Sequence, residues 1–431
     1  MPSFADANSV LSGFVPTDSA EEPFIKSTNS MNADVIPGAN IGSTRLVSID
    51  AFRGWVMLLL LASLLGFCEV SERLPENPTW RWLCYQWSHV EWRGMTLHDI
   101  IQPSFSFLVG TSLAFSVVSR RRRGQNDRNL IIHAAWRSLV LVLLGVFLRS
   151  IGRGEISWTF EDTLSQIGLG YLPLVMIAIA PPVATWISIA VILIGYWLAF
   201  VLHPLPPSDF DFSVVGVDST WPFLQDGFAA HWNKNSNLAW RFDTWFLNLF
   251  PRSKPFAYNS GGYSTLSFIP TLATMLLGLV AGWWLNEREN AKLTLKRFAT
   301  AAVICFCVGH LLDLFGICPN VKRIWTPSWV LVSGGWCFFI LGILHVICDL
   351  RGFRAWCYPL VVIGSNSIVA YLMEWFMAGS VENTFTQVFG PGWAESIVGE
   401  IYHPLLVGGV TMVISWGILF WMHRHKIYVK L

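Results

Sequence analysis

Residues 88–103 read SHVEWRGMTLHDIIQP and carry His89, Glu91, Arg93, His98 and Asp99 within eleven residues, between two apolar stretches. A histidine changes charge near neutral pH and can remove or deliver a proton at a reacting group. Asp99 opens an apolar run beside His98, and an ionisable side chain at a membrane boundary is retained at a cost unless it is paired or solvated. It could orient the His89 imidazole, stabilise its charged form, or cap a helix by accepting free backbone N–H groups. The residue types leave these three roles open, and one loop histidine does not by itself establish catalysis.

A second group, SIDAFRGW, puts Asp50 and Arg53 one helical turn apart at the start of the first apolar run. Further polar side chains interrupt the apolar runs: Gln102, Ser104 and Ser106 around Pro103, then Gln166, then Ser365, Asn366 and Ser367 with Glu374 beyond. Singly, such residues tie membrane helices together by hydrogen bonds. Together they suggest a polar passage through a bundle. There is no glycine-rich phosphate loop ending in Lys-Ser/Thr, no GxSxG elbow and no HExxH helix, which gives no support to ATP-driven transport, serine hydrolysis or zinc proteolysis. The eight cysteines show no CxxC pair and no Cys/His metal spacing, so no metal site is expected. Cys68 and Cys84 share one connection; they are read as ordinary thiols, with pairing reserved for a loop that faces an oxidising compartment.

The elements that must position these residues are membrane helices. Of 431 residues, 53% are apolar and only 13% charged, about half the charge of a soluble domain, which has roughly 25%. Mean hydropathy is +0.48. A net charge of +1 excludes a strongly basic nucleic-acid binder. Apolar runs long enough to span a bilayer as helix fall near 48–68, 98–118, 134–151, 162–180, 184–203, 264–285, 298–316, 327–349, 357–379 and 403–422. The fold class expected is therefore all-α, a polytopic transmembrane helical bundle of about ten helices. With the N-terminus inside, the inner connections 119–137, 286–297, 350–354 and 424–430 hold fifteen Lys and Arg, and the much longer outer ones hold ten. Both termini are then cytoplasmic. The outer connection 204–263 carries Trp221, Trp232, Trp240 and Trp245; it is too long for a turn, and it is either an aromatic surface for a sugar ring or a folded cap with no ligand. Residues 1–44 are rich in Ser, Asn, Asp, Pro and Ala, lack the features of a signal peptide, and read as a disordered tail. No internal repeat or inverted pair of broken helices is visible, which weighs against an alternating-access transporter.

SIDAFRG followed by HVEWRGMTLHDIIQPSFSFLVGTS resembles the heparan-alpha-glucosaminide N-acetyltransferase family, and the likeness continues through WRSLVLVLLGVFLR, SQIGLGYL, STLSFIPTLATMLLGLVAGW, KRIWTPSWVLVSGG, IGSNSIVAYL and KIYVKL. It spans residues 45–431, without the luminal N-terminal domain of animal members. The resemblance implies a transmembrane acyltransferase domain in which His89 is the catalytic histidine. Asp50 and Arg53, Trp92, Asp99, Gln166 and Asn366 coincide with other positions of the pattern. Acetyl-CoA would be supplied from the cytoplasm and the acetyl group delivered to an amino sugar or glycan on the periplasmic or luminal face. Arg53, with Asp50, is expected on the donor side, Asp99 beside the base, and Trp92, Gln166 and Asn366 along the substrate passage. Lipid bilayer is the surrounding partner, a homodimer is one assembly allowed, and a bacterial member would sit in the inner membrane. The alternatives are O-acetylation of an envelope polysaccharide and sugar or lipid transport without chemistry. The family's YDPEGLL before the sixth run has become YNSGGYS, losing both acids at Asn259 and Gly261. That departure falls on the acceptor side.

Overall fold

The computed structural model describes residues 46–287, 290–377 and 379–429; the tail 1–44 lies outside the described residues. Among those described, every regular element is helical. In hydrocarbon the backbone must satisfy its own hydrogen bonds, and a helix does so within one segment. Eight helices are long and apolar enough to cross a membrane, and nine if the bent pair Tyr358–Ser365 and Ser367–Met377 is one span. The shorter apolar helix Thr163–Ile179 accounts for the run at 162–180. Each of the ten apolar runs has become helix, and the chain is a polytopic helical bundle.

The bundle is built around two helices. The span Thr265–Asn286 has 83% of its apolar window buried and His98–Arg122 has 67%, against 22% for Pro182–Leu202 and Ala291–Leu314. The two central helices touch backbone to backbone: a Cβ on Gly110 would lie 1.8 Å from the Met275 carbonyl oxygen, and one on Gly278 would lie 1.8 Å from that of Phe107. Small residues at such a crossing gain dispersion contact where no hydrophobic force favours association. The outer helices keep large apolar side chains exposed, including Trp186, Val191 and Ile194 on one and Val303, Ile304 and Leu311 on another.

The connection 204–263 is a folded cap. It contains the helix Leu238–Phe246 and several single 3-10 turns. Its tryptophans mostly face inward: Trp232 is 2% exposed, the Trp240 indole donates to the Ala257 carbonyl, and Trp221 meets Trp92 edge to face. Trp245 alone of the four is strongly exposed. Cys68, in the helix Phe67–Arg73, and Cys84, in Pro78–Trp87, form a disulfide, where the sequence read two thiols. Pairing depends on the turn through Leu74–Asn77 that lays these helices side by side, which spacing does not reveal.

Candidate active site

Four connections that are far apart in sequence meet at one end of the bundle. Residues 88–97 supply His89, 320–326 supply Lys322 and Arg323, 259–264 supply Tyr263, and 152–162 supply Glu161 and Asp162. Arg323 ties three of them. Its guanidinium donates to the Val90 carbonyl at 3.1 Å and to the Gly261 carbonyl at 2.6 Å, and lies 5.0 Å from the centre of the Tyr263 ring. Gly94 N–H donates to Asn320 O at 3.1 Å. Gly262 has a φ of 76° and packs so closely on Trp92 that a Cβ would sit 2.6 Å from the indole, so only glycine fits there.

At the centre His89 Nδ1 lies 2.8 Å from Asp99 Oδ1. The carboxylate can only accept, so Nδ1 carries the ring proton and Nε2 keeps its lone pair. Asp99 does not cap a helix. Its Oδ2 accepts from Thr96 N–H at 3.1 Å and Val90 N–H at 3.3 Å, and its Oδ1 takes the Lys322 ammonium at 3.0 Å. The Asp99 and Lys322 side chains are 0% and 4% exposed, whereas His89 is 39% exposed. His89 therefore faces a cavity of about 350 Å³. Arg149, Glu161, Asp162 and Glu374 line it farther round with Tyr263 and Gln102, and Arg149 faces Glu161 at 3.7 Å. Burial, followed by the Lys322 charge, pulls the His89 pKa below its usual value, outweighing the hydrogen bond it donates to Asp99 and that carboxylate's charge. Burial likewise lowers Lys322, opposed by Asp99.

No family model matches the chain. The chain is 24% identical over 386 residues to the heparan-alpha-glucosaminide N-acetyltransferase of Homo sapiens, covering 80% of this chain and 55% of the human protein. The Mus musculus protein of the same name is 24% identical over 385 residues, covering 79% and 55%. The chain is thus similar, over most of its own length, to heparan-alpha-glucosaminide N-acetyltransferases. It spans about half the length of these curated relatives.

Of the residues that resemble positions in the heparan-alpha-glucosaminide N-acetyltransferase pattern, His89 and Asp99 meet beside the cavity, while Asp50 and Arg53 pair with each other away from it. Arg53 donates to Asp50 Oδ1 at 3.1 Å and to Ser112 Oγ at 2.9 Å. Ser112 lies about 20 Å beyond Asp99 along the same helix, at roughly 1.5 Å per residue. Trp92 is 2% exposed with its indole N–H bonded to Trp232 O, and it braces the cap. Gln166 donates to the carbonyls of Phe160, Ser264 and Thr265, locking the start of Thr163–Ile179 to the start of the span Thr265–Asn286. Asn366 sits in the 83° break between Tyr358–Ser365 and Ser367–Met377, where it donates to Ile427 O and accepts from Val429 N–H. Neither amide lines the cavity. Lys322, Arg149, Glu161 and Asp162 do, and sequence reasoning gave them no role. The one available signal was Lys322 in KRIWTPSW, a lysine among apolar residues on the side with few cations. Among the described residues no group of three His, Cys, Asp or Glu is placed to hold a metal ion.

Proposed function

We propose that the chain is a membrane-embedded acetyltransferase that moves an acetyl group from cytoplasmic acetyl-CoA to the amine of an amino sugar or glycan on the opposite side. The observation that carries this is His89, backed by the buried Asp99, on the wall of a cavity lined by polar side chains, in a chain related to N-acetyltransferases. Two features support the sidedness. Lys and Arg concentrate in the connections at the end away from His89, and the Cys68–Cys84 disulfide near His89 suits an oxidising compartment.

In the reaction the acceptor nitrogen attacks the thioester carbonyl carbon as His89 Nε2 takes a proton from it. Asp99 holds the Nδ1–H so that Nε2 faces the cavity, and stabilises the imidazolium that forms. Collapse of the tetrahedral intermediate breaks the C–S bond, and the proton leaves with the CoA thiol. The phosphates of the donor cannot enter hydrocarbon cheaply, so the nucleotide stays at the cytoplasmic end with Arg53, which Asp50 and Ser112 hold in place. Arg53 is 23% exposed and keeps access to such a ligand.

His89→Ala in purified protein is the test. CoA binding stays near wild type while transfer of labelled acetyl to glucosamine-terminated acceptors falls by about 10²–10⁴-fold. Transfer within a few-fold of wild type removes His89 from the chemistry.

A further inference from the structure

Among the charged groups that the reaction above does not use, Lys322 is the one in contact with both His89 and Asp99. Its ammonium lies 3.0 Å from Asp99 Oδ1 and 3.1 Å from His89 Nδ1. A ring nitrogen that already donates its proton to Asp99 has no lone pair for an ammonium, so the second distance is a charge beside the ring and not a hydrogen bond. Asp99 by itself creates a difficulty. A carboxylate bonded to Nδ1–H favours the imidazolium, and a ring that is protonated beforehand accepts nothing from the acceptor.

We propose that Lys322 is a positioning residue that offsets the Asp99 charge as His89 experiences it, so that the imidazole keeps the orientation given by the carboxylate yet stays neutral and basic at Nε2. The role depends on the acetyl-transfer reading above, in which His89 receives the proton. A buried cation in direct contact with a buried anion, both touching one ring atom, is the arrangement this task requires. The lowering of His89 by burial and Lys322 agrees with it.

Other groups around His89 set a background that does not change with residue 322. On its own connection Glu91 is bonded to the Trp221 indole, and the His98 ring lies 4.6 Å away centre to centre. From 320–326 comes Arg323, which bears the same sign as Lys322, and from 259–264 comes Tyr263, with its ring 6.4 Å away. Across the cavity Arg149 stands among Glu161, Asp162 and Glu374, beside Tyr371.

Diethyl pyrocarbonate modifies neutral imidazole, so the rate of His89 modification against pH, followed by peptide mass spectrometry, gives its titration directly. Lys322→Met should raise the midpoint by about one pH unit, close to a tenfold loss of neutral ring at acidic pH. Lys322→Arg should leave it near wild type. A midpoint unchanged in Lys322→Met, or moved equally by Arg, overturns the proposal. If the Met variant fails to fold because Asp99 is left buried without a cation, the comparison of Asp99→Asn with Asp99→Asn/Lys322→Met replaces it: the double variant should titrate higher, and equal midpoints overturn the proposal. Neither acetyl-CoA nor acceptor enters this measurement. A midpoint that moves as stated in a protein that transfers no acetyl group defeats the proposed function alone.

Discussion

His89 and Asp99 are ten residues apart and reach each other because Thr96, Leu97 and His98 fold into a tight turn, in which Asp99 N–H bonds Thr96 O at 3.2 Å. The pair was legible because both side chains sit in one short connection and both are chemically conspicuous. Asn366 was conspicuous too, and its amide is bonded to backbone outside the cavity. A side-chain amide inside an apolar run signals only that some polar partner exists, and here the partners are the backbone of Ile427 and Val429. Asn366→Ala should therefore lower stability by about 1–3 kcal/mol, the contribution of two hydrogen bonds made by one buried amide. Thermal unfolding in detergent reads this loss, and turnover per folded molecule stays near wild type. A turnover loss without a shift in melting would return Asn366 to the substrate passage. Lys322 was illegible for the opposite reason: a lysine between two apolar runs looks like a topology anchor, and its fellow residues are 223 positions away at Asp99.

At the scale of elements, the cap 204–263 is fixed to the bundle through Asp243, which is 2% exposed and accepts Thr265 N–H at 2.9 Å. Burial pushes its pKa from 3.8 up to about 7, opposed by the Thr265 hydrogen bonds. The folded state thus holds a proton that the unfolded chain releases near pH 3.8. The stabilisation is complete below that pH and is lost as pH rises through about 7. Asp243→Asn keeps the acceptor for Thr265 and removes the titration. Wild type should melt at a falling temperature between these two values and the variant at a nearly constant one, relative to each other, by tryptophan fluorescence. Parallel curves would mean that Asp243 is ionised throughout. The helices themselves were readable because twenty apolar residues in a row have few other destinies. The cap was not, because its shape rests on Asn235, Asn237 and Asn259 bonding local backbone, and such pairings leave no periodic trace.

For the whole molecule, the sidedness carries the largest consequence. On a cysteine-free background, one cysteine near Pro78 should react with an impermeant maleimide added to intact cells. Labelling that requires opening the membrane would place His89 in the cytoplasm and leave the two-sided reaction without a basis. The ten apolar runs were readable from composition, but the meeting of four connections at His89 depends on close helix packing such as Gly110 against Met275 and Gly278 against Phe107, which composition does not encode. That meeting also orders events during synthesis. Asp99 enters the bilayer boundary with the second span, whereas Lys322 emerges only after the seventh, so for most of translation the carboxylate has no cation beside it. Until then the Asp99 carboxylate at the membrane boundary lacks the ammonium it is paired with in the folded protein, and the site is complete only once the connection after Ala291–Leu314 has been made.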